Sequence, residues 1–302
     1  MRRSGTSSEP LRIGTRRSAL ALAQAREVAE KLAGRGIAAE LVPMTTSGDQ
    51  GADPSLSSAG GKGLFVHEIV RALLDGEVDL AVHSAKDLPA EDPEGVIVAA
   101  IPERASPFDV LVTRDRELPA GARVGSSSLR RKAQLLRWKQ DVRPVDVRGN
   151  VDTRLQKLGA GEVDALVLAE AGLDRLGVRP DHASRLSPGE MVPAPGQGAL
   201  AVQTRAGAEN LVAALDDPAS RAAFDAERRL VALLGGGCAL PLGAHAEAVD
   251  GSLYLRAIVL RPDGSDVAAV EIRGEDPDAV AASAADALLS QGADRILGEV
   301  RG

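Results

Sequence analysis

Cysteine is nearly missing from this 302-residue chain, and the one present, Cys238, cannot form an internal disulfide. Four roles stay open to it: small buried hydrophobe, nucleophile, metal ligand or attachment point. Aromatic residues are almost as scarce. One Trp, one Tyr and three Phe leave little for nucleic-acid bases to stack on, and a net charge of -7 also argues against general nucleic-acid binding. His67, His83, His182 and His245 stand at no metal-ligand spacing from one another or from Cys238, so no zinc site is expected. No run approaches ~18 apolar residues, and residues 1–10 are charged and polar with no apolar segment behind them. A reducing cytoplasm is therefore expected, without export or a membrane span.

Lysine is the remaining shortage. Six lysines stand against thirty arginines, several of them paired. Guanidinium forks bind carboxylates or phosphates bidentately, which an ammonium cannot do. With 44% hydrophobic residues the chain can fill two or three separate cores.

Residues 11–14 read as a strand running into Thr15-Arg16-Arg17-Ser18 and an alanine-rich amphipathic helix that stops at Gly34, with Ser18 as its N-cap. Free backbone N–H groups, guanidinium and hydroxyl converge there as an anion site, although a capped helix with solvated arginines explains that turn equally well. A strand at 40–44 precedes a Gly-, Ser- and Asp-rich loop, 45–63, long enough to mark a functional segment. Its Gly60-Gly61-Lys62-Gly63 lacks phosphate-loop spacing. A helix at 64–75 and a strand at 78–83 then lead to Ser84-Ala85-Lys86-Asp87-Leu88-Pro89. Open α/β sheets gather ligands at the carboxyl ends of strands, where this polar cluster lies. His83 reads as a structural histidine more than as a base, and Asp87 also suits ordinary turn chemistry.

Beyond a strand at 96–101 the pattern starts again. Strands at 110–113 and 123–125 are followed by Gly125-Ser126-Ser127-Ser128-Leu129-Arg130-Arg131, a second hydroxyl-and-arginine helix start. A strand at 145–147, the turn Arg148-Gly149-Asn150 and a helix carrying Arg154 come next, and Gly161-Glu162-Val163-Asp164 echoes Gly76-Glu77-Val78-Asp79. Two related α/β units facing a shared cleft, each offering arginines, form a clamp suited to a small polyanion. The breaker-rich Pro193-Ala194-Pro195-Gly196-Gln197-Gly198 crosses between them, and 199–203 reads as a strand returning to the first unit. A helix from Asp217-Pro218 to Gly235, three strands at 243–249, 252–260 and 267–273, and a helical region from Pro277 make a smaller α+β domain.

Cys238 follows a helix C-terminus, whose negative dipole end raises a thiol pKa, which counts against a protease-like nucleophile. It stays available for covalent attachment. Arg16, Arg17, Arg130, Arg131, Arg148, Arg154 and Arg175 all lie at helix starts or in polar loops, so a ligand with several carboxylates could be held firmly. Among them Asp87 could stabilise a cation or exchange a proton with a leaving amine.

The strings Gly14-Thr15-Arg16-Arg17-Ser18, Gly60-Gly61-Lys62-Gly63-Leu64-Phe65-Val66, Val82-His83-Ser84-Ala85-Lys86-Asp87-Leu88-Pro89, Gly125-Ser126-Ser127-Ser128-Leu129-Arg130-Arg131, Arg148-Gly149-Asn150-Val151, Pro195-Gly196-Gln197-Gly198 and Gly236-Gly237-Cys238 together resemble the porphobilinogen deaminase (hydroxymethylbilane synthase) family. The resemblance implies a transferase of tetrapyrrole (haem) biosynthesis. Such an enzyme joins four porphobilinogens head to tail, releasing ammonia from each, to give hydroxymethylbilane. By position Cys238 would carry a dipyrromethane cofactor through a thioether, and Asp87 would be the catalytic carboxylate. Lys86, Ser126, Ser128, Arg130, Arg131 and Arg148 would bind the cofactor. Arg16, Ser18, Arg154, Arg175 and Gln197 would bind substrate, and Lys62 would belong to a loop over the cleft.

The implied fold is two lobes like those of periplasmic binding proteins plus a small α+β domain. Its boundaries are 10–103 with 196–216 for the first domain, 104–195 for the second and 217–302 for the third. The implied protein is a cytoplasmic monomer that binds porphobilinogen and neither nucleic acid nor membrane. His67 and Leu234-Gly235 depart from the commoner family residues and leave Asp87, Cys238 and the arginines untouched. The competing reading is a non-catalytic two-lobed protein that binds or senses carboxylates or other anions; it leaves the third domain and the glycine-framed cysteine unexplained.

Overall fold

The structure, a computed structural model, describes residues 9–45, 64–236 and 240–301. Lys62 and Cys238 lie outside them, as does the 45–63 loop beyond its first residue.

The first lobe begins with β1 (Leu11–Arg16), α1 (Ala19–Ala33), β2 (Ala39–Met44), α2 (Leu64–Leu74), β3 (Leu80–Ser84) and β4 (Val96–Ala100). The second holds β5 (Asp109–Thr113), β6 (Arg123–Gly125), α3 (Leu129–Trp138), β7 (Arg143–Val145), α4 (Val151–Gly159), β8 (Ala165–Ala169), α5 (Glu170–Arg175) and β9 (Ala183–Arg185). The chain then returns in β10 (Leu200–Arg205), which enters the first sheet to give the order β2-β1-β3-β10-β4; the second sheet runs β7-β6-β8-β5-β9. In each sheet the parallel strands meet one antiparallel strand, β10 against β3 and β5 against β8. The two five-stranded sheets thus have corresponding order and are joined by two crossings.

Strands β3 and β8 are buried along nearly their whole length, as expected of central strands covered on both faces. Ile13, Leu32, Leu80 and Leu200 are wholly buried in the first lobe, and Val124, Leu135, Leu166 and Met191 nearly so or wholly in the second. Gly14 and Gly125 let helix side chains and neighbouring strands close over the sheet: a Cβ on Gly125 would lie 2.6 Å from a Val147 methyl.

The third domain consists of α6 (Pro218–Leu233), the meander β11 (Leu242–Val249), β12 (Ser252–Leu260) and β13 (Val267–Gly274), then α7 (Pro277–Ser290) and α8 (Ala293–Arg301). β12 alternates buried and half-buried residues, the mark of a sheet with helices packed on one face. Leu230, Leu255, Leu288 and Ile296 fill the space between.

The strand expected at 145–147 lies at Arg143–Val145, because its register follows Arg123↔Arg143, while Val147 turns into the core at 3% exposure. The terminal helical region is two helices, broken where Gly292 takes φ +87°.

Both crossings are fastened to the third domain by one buried ion pair. Arg104, on the first crossing, donates from Nη1 and Nη2 to Glu227 of α6 at 2.7 and 3.1 Å, and from Nε to the carbonyl of Gln197 on the second crossing at 2.8 Å. Glu227 also accepts from the backbone N–H of Gly196 and of Ala246. Burial alone would raise the Glu227 pKa; Arg104 and His245 hold it lowered, so the carboxylate stays ionised.

Candidate active site

A cleft of about 270 Å³ opens between the lobes. The first lobe supplies the end of β1 and the start of α1, where Ser18 caps the helix by accepting from the Ala21 N–H at 3.3 Å. Such a cap contributes ~1 kcal/mol to the helix, and it sets Arg16 and Ser18 on the cleft wall. β3 ends in a 3-10 turn, Ala85–Asp87, that places Ser84, Lys86 and Asp87 on the same wall. Ser84 Oγ accepts from Gln24 Nε2 at 2.6 Å, which ties α1 to that turn.

The second lobe supplies Arg131, Arg154 and Arg175. Arg131 donates from Nε and Nη2 to Asp109 Oδ1 at 3.1 and 2.7 Å and from Nη1 to the Val167 carbonyl at 3.0 Å. Arg154 is anchored through Nε to the Gly149 carbonyl at 2.8 Å. Its pKa is lowered by burial and then by Arg131, so the two cations sit close enough to oppose each other. Five cations, Arg16, Lys86, Arg131, Arg154 and Arg175, thus face two carboxylates, Asp87 and Asp152. Asp152 is exposed in the first turn of α4, and Asp87 is half-buried. A cleft of this composition attracts a ligand bearing several carboxylates.

His83, two residues before this turn, is 8% exposed. Burial pushes its pKa down to about 4; Asp87 works against that shift and Arg16 adds to it. At neutral pH the imidazole is uncharged, consistent with a structural histidine.

The other candidates from the sequence are not among the residues that line this cleft. Arg130 is 3% exposed, donates to the Val192 carbonyl at 2.7 Å and pairs with Asp109 at 2.9 Å. Ser126 is fully buried and accepts from the Ser128 N–H, while Ser128 caps α3 by accepting from the Arg131 N–H. Arg148 is exposed. Gln197 is fully buried between the lobes: its amide donates to the Pro107 carbonyl and Asp109, and its Oε1 accepts from Lys86 at 3.3 Å and Arg131 at 3.5 Å. The candidates Lys62 and Cys238 fall outside the described residues.

Asp109 is the residue the sequence did not single out. It is wholly buried, and although burial opposes ionisation, Arg130 and Arg131 hold its carboxyl far below the usual range. Its partners lie more than twenty residues away and no local pattern joins them. The only available signal was an acidic residue opening an otherwise apolar strand. Among the described residues no group of acidic, His or Cys side chains could hold a metal ion.

Residues 11–213 match the family model described as porphobilinogen deaminase, dipyromethane cofactor binding domain, and residues 222–290 match that of the porphobilinogen deaminase C-terminal domain. The porphobilinogen deaminase of Rubrobacter xylanophilus is 48% identical over 297 residues, covering 96% of this chain and 97% of its own. That of Brevibacillus brevis is 45% identical over 299 residues, with 96% and 97% covered. Among solved structures, a nutrient-binding protein from Burkholderia cenocepacia bound to methionine aligns at 14% identity and a TM-score of 0.41, covering 73% of this chain and 94% of its own.

Proposed function

The chain belongs to the porphobilinogen deaminase family, and from that premise we propose that the cleft joins porphobilinogen units head to tail, with loss of ammonia, on a dipyrromethane primer attached to Cys238. The observation that carries this reading is the pairing of one half-buried carboxylate, Asp87, with cations from both lobes around a single cleft. The residues present fit a primer and substrate of this kind. Both bear acetate and propionate groups, and the mutual opposition of Arg131 and Arg154 is relieved by an anion placed between them.

When bound, dipyrromethane supplies a nucleophilic pyrrole carbon. The chain's own residues do the rest. Arg16, Arg131, Arg154 and Arg175 receive carboxylates, and Ser18 adds a hydroxyl at the α1 start. Lys86 is oriented by Gln197, whose buried amide fixes the distance between the catalytic turn and Arg131. The Asp87 carboxylate accepts from pyrrole N–H groups and compensates the positive charge that develops as the amine leaves. Arg130, Ser126 and Ser128 support this from behind the wall, by holding Asp109 and the α3 start in place. Arg148, exposed in the turn before α4, and Lys62 complete the proposed set.

The proposed domain division, 10–103 with 196–216, 104–195 and 217–302, is supported by the entry of β10 into the first sheet. A cytoplasmic location and a monomeric state belong to the same proposal; the first is supported by a lone thiol suited to reducing surroundings, the second by the family resemblance alone. No helix among the described residues is long and apolar enough to cross a membrane.

Intact-protein mass spectrometry tests the reading. A covalent dipyrromethane adduct is expected on Cys238 and is lost in Cys238→Ser. Unmodified protein purified from a host that makes porphobilinogen would overturn it.

A further inference from the structure

Arg131 is held by a partner that no ligand could displace: Asp109 is 0% exposed and accepts two of its hydrogen bonds. Arg175 is held differently. Its Nε donates to a single oxygen of Glu27 at 2.8 Å, and its Nη2 donates to the Gly198 carbonyl at 3.0 Å. The Arg175 side chain is 9% exposed and that of Glu27 is 30% exposed, so the carboxylate end of the pair reaches solvent. Glu27 lies on α1 one turn beyond Gln24 and two beyond Leu20, both of which line the cleft. The face of α1 that looks into the cleft therefore ends on this carboxylate. The pair also runs from one lobe to the other, α1 to α5.

We propose that Glu27 is a placeholder for a substrate carboxylate: it occupies Arg175 between turnovers and yields it to an acetate or propionate group of the incoming pyrrole or of the growing chain. This rests on the proposed function, which makes Arg175 a receptor for those groups. Exchange of one carboxylate for another keeps the half-buried guanidinium compensated throughout. It also releases the α1–α5 contact as the site fills, which links occupancy to the separation of the lobes. Ligands that carry no carboxylate cannot make the exchange and are discriminated against.

The test uses Glu27→Gln and Glu27→Asp as purified holoenzymes. Gln removes the charge, and Asp, one methylene shorter, withdraws the carboxylate from reach of Arg175. Both are expected to lower the KM for porphobilinogen by about two- to fivefold with kcat unchanged, the pattern for removal of a competitor of ground and transition state alike. The Kd for porphobilinogen, measured by calorimetry with Asp87→Ala added to each chain so that turnover is slow, should fall by the same factor. Unchanged or raised KM and Kd in both variants would overturn the placeholder role, because a carboxylate that merely oriented Arg175 would weaken binding when lost. If the wild-type chain binds porphobilinogen without releasing ammonia, the proposed function fails while the Kd comparison still decides the role of Glu27.

Discussion

The two lobes share a scaffold down to individual hydrogen bonds. In the first, Arg12 donates from its backbone N–H and Nε to Asp79 and from Nη2 to the Gly76 carbonyl; in the second, Arg123 does the same toward Asp164 and Gly161. Gly76 and Gly161 take the same left-handed conformation, φ +74° and +75°. Past the central strands the likeness stops. His83 at the end of β3 corresponds to Leu168 in β8, Asp87 to Gly172, and Leu200 opening β10 to Asp109 opening β5. The first lobe sets the half-buried Asp87 on the cleft wall, whereas the second shows the cleft only the exposed Asp152 and buries Asp109 against its arginines. A duplicated frame thus carries different side chains: under the proposed function the first lobe offers Asp87 to the chemistry, and the second fixes its arginines through Asp109.

The largest break in that comparison comes from making the Ala85–Asp87 turn as blank as its counterpart. Asp87→Ala should lower the rate of ammonia release by about 10²–10⁴, with the adduct still visible by mass spectrometry. Near-normal turnover would remove Asp87 from the chemistry. Next in size is Asp109→Asn, which strands two buried arginines; a loss of about 3–5 kcal/mol in unfolding free energy is expected by denaturant titration. A loss under about 1 kcal/mol would mean that the buried carboxylate does not hold the second lobe's wall.

His83→Leu gives the first lobe the residue of the second. Because the folded imidazole is pushed from 6.5 to about 4, the unfolded chain takes up its proton first as the pH falls. Stability is therefore lost between those two values, by up to about 3 kcal/mol. The variant should show a flatter stability profile across that window; an unchanged slope would assign the loss to other groups. The smallest contrast is between Asp79→Asn and Asp164→Asn. The side chains are 6% and 17% exposed, so the first substitution should lower Tm more. Equal shifts would show that the two corners are energetically as well as geometrically equivalent.

Local pattern was enough for what local forces decide. Ser18 as a helix cap, the hydroxyl-and-arginine start of α3 and the strand β12 were all readable, because each depends on neighbours a few residues apart. The three-residue β9, exposed throughout, carries no period to read and exists only because β5 offers it an edge. The same limit explains the site. The repeated helix starts announced a cleft rich in arginine, yet nothing near Arg130 or Arg131 shows that both pair with Asp109 and that only Arg131 lines the cleft. Arg104 and Glu227 met the same obstacle, each meaningful only through the other.

The position of β10 bears on how the chain assembles as it is made. This strand lies between β3 and β4, which have no direct pairing without it, and it arrives only after all of the second lobe. The second lobe's strands all lie between Asp109 and Arg185 and can close their sheet as soon as they emerge. The lobe that begins first is thus completed last. Until residue 205 is available, two open strand edges must wait, a stage at which a nascent chain is most exposed to mispairing.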